Sequence, residues 1–210
     1  MPATTSSNGA SPTIWDSQFH DCTTGLYSEG KGLTLNNVQL YNNITGWQAV
    51  GHTFGGNFVN SQANTNGAGI FFTGNSNLTL TTSQVNDNVS GVYYSGTGSV
   101  TGSCGEVRDN FSYGILAVNN GSVNFSSQKK MNLSGNGYSI SLSQASNLYL
   151  SNGRNNLIPA AVSGSKAVTG TLSGSITSIT ATRNQWNTRI PPGNPIPNPG
   201  QSPVSGLDYT

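Results

Sequence analysis

The phrase NNVQLYNNITGWQAV (36–50) returns as TTSQVNDNVSGVYYS (81–95): a polar/apolar alternation, an Asn-rich turn, then a Gly directly ahead of another apolar stretch. Such recurrence leaves few architectures open, because each repeat must be a structural unit that buries its apolar face against the next. The glycines before each apolar pair are Gly25, Gly46, Gly69, Gly91, Gly114 and Gly137, separated by 21, 23, 22, 23 and 23 residues. A second anchor drifts with the first: x-apolar-x-apolar starts at Leu33/Leu35, Leu78/Leu80, Val100, Val123/Phe125 and Leu148/Leu150.

Within each unit the apolar residues alternate with period 2, and Gly, Asn and Ser break every run. About 22 residues holding three short strands and three turns is one coil of a β-solenoid, with each strand about 4.8 Å from its equivalent in the next coil. Parallel crossovers are right-handed in nearly all cases. The expected fold is therefore all-β: a right-handed single-stranded parallel β-helix of roughly eight coils. Asn43, Asn66 and Asn88 stand three residues before the coil's Gly, and Asn42 and Asn110 stand four before. Asn tolerates left-handed turns and can bond to the amide above and below, so these positions read as a structural ladder.

Composition limits the partners. Only 7% of residues are charged and the net charge is +1, which gives no electrostatic basis for binding nucleic acid. No run of 18 apolar residues exists, so no membrane-inserted helix is expected. Residues 1–13 are polar and expected to be a disordered or appended tail. Residues 14–189 are expected to form the solenoid. Residues 190–210 hold six of the nine prolines and read as an arm or linker, because proline removes ladder donors. The absence of an evident cap before the first coil suggests a piece of a longer protein, whose other domains would be partners. Low charge with abundant Thr, Asn, Ser and Gly suggests an extracellular or cell-surface bacterial protein.

The phrases NNITGWQAV, NDNVSGVYY and RDNFSYGILAV resemble the right-handed parallel β-helix superfamily, the pectate-lyase-like group. GRNNL (153–157) and ATRNQWN (181–187) are similar to the closing coils of large secreted β-helix proteins of Bacteroidetes type. The resemblance covers roughly residues 14–187. It implies the fold and leaves the chemistry open, since the superfamily includes lyases, glycosidases, epimerases, adhesins and passive scaffolds. Its lyases bind calcium through clustered acids and use an Arg or Lys as base.

The seven acids decide the enzyme question: Asp16, Asp21, Glu29, Asp87, Glu106, Asp109 and Asp208. Glycosidases need two carboxyl groups roughly 5–9.5 Å apart. Asp21 and Asp87 share a register but lie about three coils, roughly 14 Å, apart. Asp87, Arg108, Asp109 and Lys130 are spaced to fall on neighbouring coils of one edge, as an acidic site with a base or as a solvated ion-pair patch. Cys22 and Cys104 occupy different registers about three coils apart, beyond disulfide reach, and read as buried small hydrophobes. His20 and His52 read as surface or turn residues, with His20 and Asp21 on opposite faces of a strand.

The residues one and three after each repeat Gly are expected to point inward, as in Ile70/Phe72, Val92/Tyr94 and Ile115/Ala117. The residue between them points outward: Tyr27, Gln48, Phe71, Tyr93, Leu116 and Ser139. Tyr27, Phe71, Tyr93 and Leu116 then form a row of large side chains on which a polysaccharide could lie. The expected function is a non-catalytic scaffold or a glycan- or surface-binding domain, without cofactor. The alternative is a polysaccharide lyase or glycoside hydrolase at the Asp87–Asp109 edge, where calcium would enter. Ice binding ranks last, since the Thr34, Thr79, Thr101 column is broken by Asn124 and Tyr149.

Overall fold

In a computed structural model of the chain, residues 11–125, 130–145 and 148–149 are described, with the backbone of short strands at 156–157, 166–172, 179–180, 185–186 and 207–209. Expectations for residues 1–10, for most of the GRNNL and ATRNQWN phrases and for 190–206 lie outside the described residues.

The chain winds as a three-sided parallel solenoid. The broad side runs through Thr24–Glu29, Thr45–His52, Ala68–Gly74, Ser90–Ser95, Tyr113–Val118 and Tyr138–Ala145, then Lys166–Leu172. A second side begins Thr13–Trp15, Leu33–Asn36, Gly56–Val59, Leu78–Thr81, Ser99–Ser103 and Ser122–Asn124. The third is short: Gln18–His20, Gln39–Tyr41 and Gln62–Asn64, prolonged by single bridges from Gln62 through Gln84 and Glu106 to Asn132. The broad sheet ends on Leu207–Tyr209, paired antiparallel to Lys166–Leu172.

Like residues stack on like. Trp47, Ile70, Val92, Ile115 and Ile140 are successive Cα partners and all are fully buried. Phe72, Tyr94, Ala117 and Leu142 form the neighbouring inward column. This matches the inward pattern expected from the sequence. Where Trp47 and Phe72 crowd the interior, the facing residue is Gly56, and a Cβ there would meet both rings.

Corners set the fold as much as strands do. Two columns of non-glycine residues take a left-handed backbone: Asp16, Asn37, Asn60, Thr82 and Cys104 at one corner, and Asp21, Asn42, Thr65, Asp87 and Asp109 at the next, with φ between 47° and 56°. The ladder is a separate column, one residue after the second corner. Asn43, Asn66, Asn88, Asn110 and Asn136 are buried, and each Oδ1 accepts the backbone N–H of its equivalent in the preceding coil, starting at Cys22. Turn and ladder are thus carried by adjacent residues rather than by one Asn. Asn110 belongs to the ladder despite standing four before its Gly.

Several expectations are corrected. Both cysteines are exposed, because Cys22 and Cys104 sit at corners and not on inward strand positions. His52 is fully buried rather than at the surface. His20 and Asp21 do not face apart: the strand ends at His20, and the left-handed turn at Asp21 brings Oδ2 to 2.6 Å from His20 Nδ1. That bond, followed by one from Asn42, holds the Asp21 carboxyl below its ordinary value. The last repeat is longer than expected. Ladder residues Asn110 and Asn136 are 26 apart, so Gly137 falls beside Phe111 and Ser139 takes the buried place of the repeat glycine. The outward partner of Leu116 is consequently Ser141 and not Ser139.

Candidate binding edge

The second corner builds the most developed surface feature. Each coil leaves the short sheet, turns at a left-handed residue, buries its ladder Asn and re-emerges with the next side chain in solvent. Asp and Asn suit the turn because they tolerate this backbone; Thr65 is the β-branched exception. Its hydroxyl is 2.6 Å from its neighbour Asn64 O and 3.1 Å from Asn42 Oδ1.

After the ladder Asn come Ile44, Gly67, Val89 and Phe111 in four successive coils. Ile44 is 66% exposed, Val89 55% and Phe111 85%. Gly67 breaks the line, and it must be small: a Cβ there would stand 2.7 Å from Ile44 O. With Gly67 as its low point, an open groove of about 580 Å³ forms between the turn column (Thr65, Asp87, Asp109) and the apolar column (Gly67, Val89, Phe111).

The acids in this groove are not equivalent. Arg108 Nε donates to Glu106 Oε2 at 3.0 Å, and its Nη1 donates to Asp109 Oδ2. The bond to Glu106, more than any other contact, raises the guanidinium above its ordinary value. Asp109 Oδ1 also lies over Gly135, where any side chain would collide with it. Asp87 makes no ion pair among the described residues; its backbone N–H donates to Arg108 O, which sets Asp87 directly beside Asp109 in the stack. Three of the four sequence-predicted edge residues therefore come together. Lys130 does not. Asn132 pairs with Glu106, so Lys130 lies before that bridge, on the side of Cys104, and the longer coil is the reason.

The row on the broad sheet is also real as a row. Tyr27, Gln48, Phe71, Tyr93 and Leu116 are aligned in successive coils and half-buried. Phe71 and Tyr93 stack with centroids 4.7 Å apart and planes within 2°. These two rings turn a face to one another, so they offer mainly edges outward. The Tyr27 hydroxyl donates to Glu29 at 2.9 Å, which pushes the phenol up.

Residues 2–104 match the family described as right handed beta helix region. The chain is a right-handed parallel β-helix, and the family model matches its first coils. No curated protein and no solved structure matches the chain. This β-helix is thus consistent with the pectate-lyase-like superfamily, and its chemistry has to be argued from the groove. No group of three or more His, Cys, Asp or Glu that could hold a metal ion occurs among the described residues.

Sequence reasoning missed Ile44, Val89 and Phe111. The signal was present: each follows the ladder Asn, in N-I-T-G, N-V-S-G and N-F-S-Y-G. Aligning the repeats on Asn instead of Gly brings the column out.

Proposed function

We propose that this β-helix is an exported, non-catalytic surface module that binds a glycan chain along the corner groove. The observation that carries this is Phe111, 85% exposed at the mouth of a groove whose other wall is Thr65, Asp87 and Asp109. A sugar has an apolar ring face and a rim of hydroxyls. An open aromatic ring beside hydroxyl and carboxylate acceptors complements both. A rigid solenoid repeats its polar and apolar columns at about 4.8 Å, which suits an extended polymer better than a compact ligand. A single aromatic contact contributes about 0.5–1.5 kcal/mol, so affinity rests on several coils engaging together.

One observation favours a polysaccharide lyase or glycosidase instead. Asp87 and Asp109 hold equivalent corner positions on adjacent coils, whose backbones repeat at about 4.8 Å, so their carboxyl groups are within reach of the roughly 5–5.5 Å that retaining glycosidases use. Against it, Asp109 is held by Arg108. The test is a panel of neutral, acidic and amino-sugar oligosaccharides, followed by calorimetry for binding and by product analysis for turnover. Binding without turnover is expected. Turnover abolished by Asp87→Asn or Asp109→Asn contradicts the non-catalytic assignment, and failure of every oligosaccharide to bind contradicts the glycan assignment.

A further inference from the structure

The β-helix buries one of its two histidines far from the groove. His52 is 0% exposed. It is inside because its strand bulges: Ala49 and His52 pair with Phe72 and Gly74, so Val50 and Gly51 stand against Thr73 alone, and Gly51 takes φ of 64°. The extra residue turns the imidazole into the core. Trp47 and Phe72 pack against it edge-on, with centroids at 6.2 and 5.1 Å. Nε2 lies 2.9 Å from Ser28 Oγ, which also accepts the Trp47 Nε1–H at 2.9 Å. Nδ1 has no hydrogen-bond partner among the described residues.

No counter-charge faces the ring among the described residues. From the preceding coil the group facing the ring is Ser28; its neighbour Glu29 is exposed and bonded by Tyr27, and Lys31 lies in the turn beyond. From the following coils come Phe72 and, stacked on it, Tyr94, whose hydroxyl donates to Ser76 O and whose phenol burial pushes up to about 12. Ser76 Oγ donates to the His52 carbonyl and not to the ring. A protonated imidazole here would be a buried, uncompensated charge with an unpaired N–H.

We infer that His52 is an acid-sensitive latch: neutral, it closes the corner that joins residues 24–31, 45–54 and 68–76; protonated, it releases that corner. Burial holds the imidazole below its ordinary value. The unfolded or opened chain titrates near 6.5, so it takes up the proton first. Stability is therefore full above about pH 6.5 and falls as the pH drops below it.

The test is urea unfolding of the whole chain between pH 8 and 5.2, above the carboxylate range, for the wild type, His52→Gln and the exposed-histidine control His20→Gln. The unfolding constant of the wild type and of His20→Gln should rise by up to about tenfold per pH unit below 6.5, while His52→Gln stays flat. A His52→Gln variant with the wild-type slope overturns the inference. Should that variant not fold, imidazole NMR of the wild type decides: a ring that stays neutral in the folded spectrum below pH 6 supports the latch, and one titrating like free imidazole overturns it.

Discussion

Asn88 shows how much one side chain carries in this fold. Its Oδ1 accepts from Asn66 N and Asn66 Nδ2 at 2.8 and 3.1 Å, and its Nδ2 donates to Ala63 O and Asn110 Oδ1 at 2.9 and 3.0 Å. Every amide position is used, and the side chain is buried. Asn88→Ala leaves at least the Asn66 N–H and Ala63 O without their Asn88 partner, and should cost about 2–6 kcal/mol at roughly 1–3 per orphaned group. Asn88→Asp should be worse at neutral pH, because a carboxylate keeps the acceptors, loses both donors and faces two oxygens. Its folded-state carboxyl would lie above the unfolded value, so the deficit of Asn88→Asp against wild type at the same pH should shrink on acidification while that of Asn88→Ala does not. Denaturant titrations at pH 7 and 4.5 check both the order and the sign. His52 is the opposite case, a buried polar residue left half-satisfied.

The strand-and-turn unit explains which parts could be read beforehand. Inward alternation was legible because period 2 persists through every coil, as in Ile70/Phe72 and Val92/Tyr94. The pairing of Asp87 with Asp109 was legible because 22 residues separate them and the coil between is regular. Lys130 was misplaced for the converse reason: the coil from Asn110 to Asn136 is longer, and nothing local in the sequence marks where the extra residues go. The His52 bulge was hidden in the same way, since one added residue inverts the face of all that follow. The repeat glycines carry a sharper requirement than turn freedom. A Cβ on Gly91 would collide with Gly114 O and come within 3.0 Å of Asn110 Nδ2, both fixed by the ladder. Gly91→Ala should therefore destabilise by about 1–3 kcal/mol. Gly55→Ala, whose nearest neighbour would be Asn77 O at 3.4 Å, should be near neutral by the same thermal melt.

At the scale of the whole molecule, the solenoid turns sequence columns into surface stripes. The ladder is buried, the left-handed corner lines one wall of the groove, and the residue after the ladder lines the other. The broad sheet carries a second stripe, through Phe71 and Tyr93, with ring faces turned to one another. Of the two stripes, the corner one carries the open ring, Phe111, beside polar neighbours, so the two make separable demands. The direct measurement is the affinity of the best-bound oligosaccharide for three proteins: wild type, Phe111→Ala, and the Phe71→Ala/Tyr93→Ala double variant. Phe111→Ala should weaken binding about 3- to 10-fold, the worth of one aromatic contact, with the double variant equal to wild type. Binding that survives Phe111→Ala unchanged and is lost in the double variant would contradict the groove as the binding site.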